Sequence, residues 1–196
     1  MKTPLLIFIL TLLNLCTALG QKTRLEKGNS FLNNGDFDKA EKVFREGTNA
    51  DPNDLILQCQ LGLTLIQKEK YADAEAVLTK VLEKEPDHLG ANWYSGIGNY
   101  KNAKDRKAVE HFERVLPMLD KSSGQYYSAN WFIGKSYSNL LRTEGLTYKE
   151  TDRMLECFEE YLRLQPNAKD SQEIREYVDR KKKRRPSDNV ERWIDL

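Results

Sequence analysis

The residues that most often catalyse reactions or bind metals are scarce in this chain of 196 residues. It has two histidines, His88 and His111, and three cysteines, Cys16, Cys59 and Cys157. Neither histidine lies in a metal-ligand motif, and two widely spaced cysteines after the N-terminal segment do not make a disulfide scaffold. Glycine-rich phosphate loops and nucleophile-elbow motifs are also lacking. The sequence therefore predicts a protein that is not an enzyme, has no metal site or cofactor, and buries Cys59 and Cys157 as thiols.

A strong charge of one sign is absent as well. The chain has 31 basic and 30 acidic residues, which give a formal net charge of +1. One run of six cations, at residues 180–185, could bind nucleic acid or another anionic surface. Most such runs are solvated helix faces, and cations at a helix C-terminus also complement the helix dipole. Nucleic acid is therefore not expected as a partner.

Long apolar runs are lacking except at the N-terminus, where Lys2 precedes an apolar stretch at residues 5–15. This stretch is shorter than the roughly 20 residues that a membrane-spanning helix needs. The small residues Ala18 and Gly20 occupy the two positions that a signal peptidase reads. We therefore predict a signal peptide over residues 1–20 and no transmembrane segment in the mature chain.

Cleavage of that signal peptide would make Gln21 the first residue of an exported protein, which is periplasmic or secreted. The alternative is a bacterial lipoprotein, which is cut before a cysteine that then receives lipid. Cys16 could be that cysteine, but the large Leu15 precedes it where a small residue is wanted.

A period of 34 residues organises the rest of the chain. Glycine inside a helix costs about 1 kcal/mol relative to alanine, so a recurring glycine indicates that a second helix crosses closely. Recurring alanines are the small residues on that second helix, large residues fill the space toward the next pair, and prolines end the second helix. Four registers share the period: Gly28, Gly62 and Gly96; Ala40, Ala74 and Ala108; Phe44, Leu78 and Phe112; and Pro52 and Pro86.

With these residues the sequence resembles the tetratricopeptide repeat family, and the resemblance covers nearly all of residues 21–165. The segments Leu61-Gly62-Leu63 and Tyr71-Ala72-Asp73-Ala74 fit its helix–turn–helix pattern closely. The resemblance implies an all-α fold, a right-handed α-solenoid of four helix pairs with a C-terminal capping helix. The expected boundaries are pairs at 21–54, 55–88, 89–122 and 125–168 with an insertion near 142–149, a capping helix at 169–185 and a flexible tail at 186–196.

Members of this family grip peptides in a concave groove that the first helix of each pair lines. The resemblance therefore implies a non-catalytic protein–protein interaction module or assembly scaffold that binds a protein or peptide, with weak self-association left open. Aromatic anchors dominate interface energy, although each groove position could instead belong to the core of its own pair. The groove candidates are Asn29, Cys59, Ile66, Trp93, Tyr100, Trp131 and Lys135.

The C-terminal tail carries an apolar cluster of Val190, Trp193, Ile194 and Leu196. It could fold back on the capping helix, dock on a partner, or enter the groove of a neighbouring copy. The alternative function is a structural subunit of an envelope or secretion assembly that is held by its convex face and tail rather than by its groove.

Overall fold

The structure, a computed structural model, describes residues 23–194. The predicted signal peptide with its cleavage site, and with them Cys16, lie outside the described residues. Within residues 23–194 the regular secondary structure is helical, which confirms the predicted all-α repeat fold. The helices are α1 over residues 23–33, α2 Phe37–Ala50, α3 Leu55–Gln67, α4 Tyr71–Lys84, α5 Leu89–Lys101, α6 Asp105–Val115, α7 Gly124–Thr143, α8 Tyr148–Leu164 and α9 Ser171–Arg184.

The helices pack mainly on their neighbours in sequence. Helix α3 packs on α4, α5 on α6 and α7 on α8, while α9 covers α8. The chain divides into two compact units after Lys84. The first unit contains α1 to α4, and the second contains α5 to α9.

Two glycines show what the 34-residue period does to packing. A Cβ atom on Gly28 would lie 2.3 Å from Cε1 of Phe44, and one on Gly96 would lie 2.8 Å from Cζ of Phe112. Each large side chain therefore lies on the glycine of its own pair, and both rings are fully buried. Phe112 also fills the space toward the next pair, where it stacks on the ring of Phe132 at 4.8 Å.

The turns inside the first three pairs repeat a backbone conformation. Gly35, Glu69 and Ala103 follow the first helix of each pair and have φ of 77°, 59° and 55°. This left-handed region costs an ordinary L-residue roughly 1–2 kcal/mol, whereas glycine adopts it freely. Only the first of the three turns has the residue that its conformation favours.

The fourth pair is the longest. The expected insertion at 142–149 spans the end of α7, a loop and the start of α8. A capping box begins α8, in which the Thr147 side chain accepts from the Glu150 amide and the Glu150 side chain accepts from the Thr147 amide. Arg106 of α6 donates to the same Glu150 carboxylate at 2.8 Å. The insertion is thus tied to the preceding pair.

Both thiols of the described chain are buried, Cys59 with 4 % and Cys157 with 0 % of its surface exposed. Burial raises the pKa of Cys157 to about 12. A thiol in such surroundings stays protonated at neutral pH and is a poor nucleophile.

Candidate interaction surface

Helices α5 and α7 of the second unit bring four half-buried aromatic side chains together. Trp93 and Tyr100 lie two turns apart on one side of α5, while Trp131 and Phe132 are neighbours on α7. Phe132 is central: its ring centroid lies 6.5 Å from Trp93, 5.1 Å from Tyr100 and 5.1 Å from Trp131, each in an edge-to-face arrangement. Aromatic pairs in this geometry contribute about 0.5–1.5 kcal/mol beyond the burial of their area. We call these four residues the aromatic surface.

A pocket of about 250 Å³ opens beside Trp131 and is called the Trp131 pocket. Tyr127 precedes Trp131 by four residues and therefore lies on the same side of α7. Helix α8 contributes Tyr161, and the residue just before α9 is Asp170. The full lining is Tyr127, Ser128, Trp131, Phe132, Tyr161 and Asp170.

The carboxylate of Asp170 is held in place by two neutral donors. The indole Nε1 of Trp131 donates to Oδ2 at 2.6 Å, and the Tyr161 hydroxyl donates to Oδ1 at 2.7 Å. Burial alone would raise the pKa of Asp170, but the hydrogen bonds from Tyr161 and Trp131, together with a backbone hydrogen bond and the charge of Lys135, outweigh it and lower the pKa below its ordinary value. The pocket therefore contains an ionised, oriented carboxylate.

Lys135 lies one turn beyond Trp131 on α7. Its Nζ is 5.6 Å from the centroid of the Trp131 ring, within the distance at which a cation is attracted to an indole face. The structure thus brings Lys135 to the aromatic surface, as a neighbour of Trp131.

Two predicted groove residues of the first unit lie in the core instead. Cys59 is 4 % exposed and Ile66 is fully buried, so a bound peptide could not reach either side chain. Positions seven residues apart lie on one side of a helix, and here that side is the one α3 buries. Asn29, on α1, is half-buried and stays a candidate.

Charges connect the two helix pairs of the first unit. Glu41 of α2, 8 % exposed, accepts hydrogen bonds from Lys68 at 2.7 Å, Lys70 at 3.1 Å and Arg45 at 2.8 Å. Burial opposes ionisation, but the bonds from Lys68, Arg45 and Lys70 prevail and lower the pKa of Glu41 to about 2. Structural ion networks perturb pKa values as active sites do, and this network joins α2 to the end of α3.

The tail returns to the loop between α7 and α8. Trp193 and Leu146 exchange two backbone hydrogen bonds of 2.8 Å each, which form an isolated antiparallel bridge. Gly145 makes room for it, because a Cβ atom there would lie 2.8 Å from Cγ of Arg192 and 2.6 Å from Cγ1 of Ile194, and its φ is +78°. The expected flexible tail is therefore fixed at Trp193, which folds back within its own chain.

The other predicted tail residues are less engaged. Val190 is half-buried, Ile194 is 47 % exposed, and Leu196 lies outside the described residues. The apolar cluster predicted from spacing thus contributes mainly one side chain, Trp193, to the packing of α7, α8 and α9.

Cations of the basic run make contacts within the second unit. Lys181 is 6 % exposed, with Nζ 5.1 Å from the Tyr177 ring and 5.6 Å from the Trp193 ring. Arg185 donates to Asp152 at 2.8 Å, and Lys182 pairs with Glu159 on α8. These cations fasten α9 and the tail to α8 rather than forming a continuous exposed patch.

Some residues of the aromatic surface and of the Trp131 pocket were not predicted from the sequence. Tyr127 could have been found, because it lies four residues before Trp131 on the same helix face. Phe132 had no periodic signal. Tyr161 and Asp170 reach the site from α8 and the start of α9, and no local pattern marks a contact across 39 residues, such as that between Trp131 and Asp170.

Across residues 23–194, no group of three or more histidine, cysteine, aspartate or glutamate side chains could hold a metal ion. None of the helices in the same range is long and apolar enough to cross a membrane.

Stacked helix pairs of this kind are typical of proteins that act as interaction scaffolds. Two tetratricopeptide repeat family models match the sequence, one at residues 21–54 and the other at residues 59–124. Together they cover slightly more than half of the 196 residues. The chain therefore belongs to the tetratricopeptide repeat family, whose members are generally interaction modules.

Among curated relatives, the ALBINO3-like protein 3, mitochondrial, of Arabidopsis thaliana is 28 % identical over 59 % of this chain and 22 % of its own length. The peroxisomal targeting signal receptor of Candida glabrata is 22 % identical over 75 % of this chain and 25 % of its own length. The chain thus spans about a quarter or less of these relatives. A solved structure of a MamA mutant superposes with a TM-score of 0.68 and 18 % identity, covering 86 % of this chain and 91 % of that one, which shows a shared fold.

Proposed function

We propose that this chain is a non-catalytic scaffold that acts outside the cytoplasm and holds a partner peptide or protein against the aromatic surface of its second unit. The observation that carries the proposal is the convergence of Trp93, Tyr100, Trp131 and Phe132 from two first helices. All four are half-buried: they pack against the core of the unit and keep part of their surface accessible. Rigid aromatic side chains supply contact area at a low cost in conformational entropy.

The site of action is proposed from the N-terminal pattern of Lys2, the apolar stretch and the small residues Ala18 and Gly20. N-terminal sequencing of protein from the native host should begin at Gln21, and fractionation should recover it outside the cytoplasm. An intact Met1 on the cytoplasmic protein would overturn this part of the proposal, and palmitate incorporation that depends on Cys16 would support the lipoprotein alternative.

Partner binding is tested by affinity capture from the extracytoplasmic fraction of the native host. The mature chain is compared with the double variant Tyr100→Ala, Trp131→Ala and with a control double variant, Ile56→Ala, Met118→Ala, which removes apolar side chains that are 57 % and 48 % exposed. We expect the first variant to lose the captured protein and the control to retain it. Far-ultraviolet circular dichroism must show that both variants are folded.

Retention by the Tyr100→Ala, Trp131→Ala variant would contradict binding at the aromatic surface. It would favour the alternative function, a structural subunit of an envelope or secretion assembly that is held elsewhere on the molecule.

A further inference from the structure

The Trp131 pocket combines aromatic walls with one carboxylate. Tyr127, Trp131 and Tyr161 contribute rings, and Asp170 contributes the charge. Its volume of about 250 Å³ is below the roughly 300–1,000 Å³ of pockets that enclose a whole small molecule. A space of this size suits a single side chain of a larger ligand.

Asp170 keeps its negative charge available to a ligand. Its two side-chain hydrogen bonds come from an indole and a phenol, both neutral, so they orient the carboxylate without cancelling its charge. The charged group that acts on it is Lys135, which favours the ionised form. A carboxylate has about four lone-pair directions, and the bonds from Trp131, Tyr161 and the Asp170 backbone leave at least one of them open. Burial and the bond to Asp170 raise the pKa of Tyr161, so this hydroxyl stays protonated and continues to donate at neutral pH.

The aromatic walls of the pocket also attract cations, as the Asp170 carboxylate does. Aromatic faces carry negative potential and attract ammonium and guanidinium groups, by about 0.5–1 kcal/mol when exposed and about 2 kcal/mol or more when desolvated. The chain itself shows this preference, because Lys135 places its ammonium 5.6 Å from the Trp131 ring. A second cation on the pocket side would be drawn to both the rings and the carboxylate.

From this geometry we infer that the Trp131 pocket binds one lysine or arginine side chain of the partner polypeptide. The inference depends on the proposed function, since it names the chemistry by which the aromatic surface recognises its partner. The charge-assisted contact to Asp170 selects a cation, and the rings pack on the apolar stem of that side chain.

The test uses blocked pentapeptides, Gly-Gly-Xaa-Gly-Gly, in which Xaa is lysine, arginine or norleucine. Binding to the mature chain is followed through the Trp131 Nε1–H resonance, assigned with Trp131→Phe. The lysine and arginine peptides should shift this resonance with an affinity about tenfold or more above that of norleucine, a difference expected for a charged contact. Raising the salt concentration should reduce this advantage. Equal binding of norleucine, or no shift with any peptide, would overturn the inference.

Two variants and one control test whether the preference for a cation comes from the Trp131 pocket. Asp170→Asn should lower the affinity for the lysine peptide about tenfold, whereas Asp179→Asn, which makes the same change of charge at an exposed position of α9, should change it by about twofold or less. Lys135→Gln removes a like charge beside the pocket and should raise the affinity about two- to fivefold.

The Lys135 variant keeps the test decisive if Asp170→Asn weakens the fold, because a loss of affinity in Lys135→Gln would contradict the inference. Failure of the peptides while Tyr100→Ala, Trp131→Ala still abolishes capture of the natural partner would refute cation recognition and leave the proposed function standing.

Discussion

The two units use the same helix-pair frame, and ion pairs join successive pairs in both, but the second unit adds an aromatic stack between its pairs. In the first, Glu41 of the first pair accepts hydrogen bonds from Lys68 and Lys70 of the second pair. In the second, Phe112 stacks on Phe132 of the next pair. The 34-residue period therefore determines how the helices pair, whereas the residues between its repeated positions determine what each unit can bind. All three tryptophans of the sequence belong to the second unit, so tryptophan fluorescence reports on that unit.

The strongest test of this contrast is at Phe112, whose register is occupied by Phe44 and Leu78 in the first unit. Phe112→Ala removes the filling over Gly96 and the stack on Phe132, and should lower the free energy of unfolding of the second unit by about 4 kcal/mol. Phe112→Leu, which copies Leu78 of the second pair, should cost clearly less, about 1–2 kcal/mol. Urea unfolding followed by tryptophan fluorescence measures both. No loss in Phe112→Leu would mean that the ring adds nothing to the aliphatic packing.

A second test concerns the tail, which belongs to the second unit. Trp193→Ala removes a half-buried indole from the core of α7 to α9 and should destabilise this unit by about 2 kcal/mol. The amide of Leu146 should then exchange with solvent faster, because its acceptor is the carbonyl of residue 193. Ile194→Ala, at a residue 47 % exposed, is the control and should have little effect on either measurement.

The charge network of the first unit should make that unit sensitive to acid. The folded-state pKa of Glu41, about 2, lies below its ordinary value of 4.5, so its contribution is complete above about pH 4.5 and is lost as the pH falls toward 2. Glu41→Gln should cost about 1–2 kcal/mol at pH 7, measured by circular dichroism in urea. The difference from the wild type should shrink below pH 4.5, and a difference independent of pH would contradict the network.

The smallest change in stability is expected in the turns inside the helix pairs. Both units have the same left-handed backbone conformation there, but with different residues. Gly35→Ala should destabilise the first unit by about 1 kcal/mol, because a left-handed turn would then carry an L-residue. Ala103→Gly should stabilise the second unit by up to about 0.5 kcal/mol, since the relief of that strain exceeds the added entropy of the unfolded chain. Thermal unfolding of each variant gives the sign, and two changes of the same sign would show that the turns are not equivalent.

The fold was predictable because its signals are local and repeated. Gly28 and Phe44 lie within one pair, and the same contact returns at Gly96 and Phe112, so each copy of the period reinforced the others. The two units were not predictable, since the spacing continues unchanged from one to the other.

The candidate site was only partly predictable. Trp93, Tyr100 and Trp131 stood out as large aromatics on first helices, and the structure does join them through Phe132. Cys59 was assigned to the wrong side of its helix, because a period of 34 marks equivalent positions without saying which side of the helix is buried.

The pocket and the tail depend on long-range contacts. Asp170 meets Trp131 across 39 residues, and Trp193 meets Leu146 by backbone hydrogen bonds, which any residue except proline can donate. Side-chain identity in one sequence therefore carries little information about either contact.

The bridge between Leu146 and Trp193 also determines how the second unit bears mechanical load. A force that pulls on the C-terminus reaches Trp193 before it reaches α9, and the two backbone hydrogen bonds at that point pass it to the loop ahead of α8. Helices α8 and α9 both lie between these two residues in the chain, so while the bridge holds they are bypassed by the tension. In a scaffold tethered by its C-terminus, the tension would thus reach α7, the helix that carries Trp131, without passing through α9.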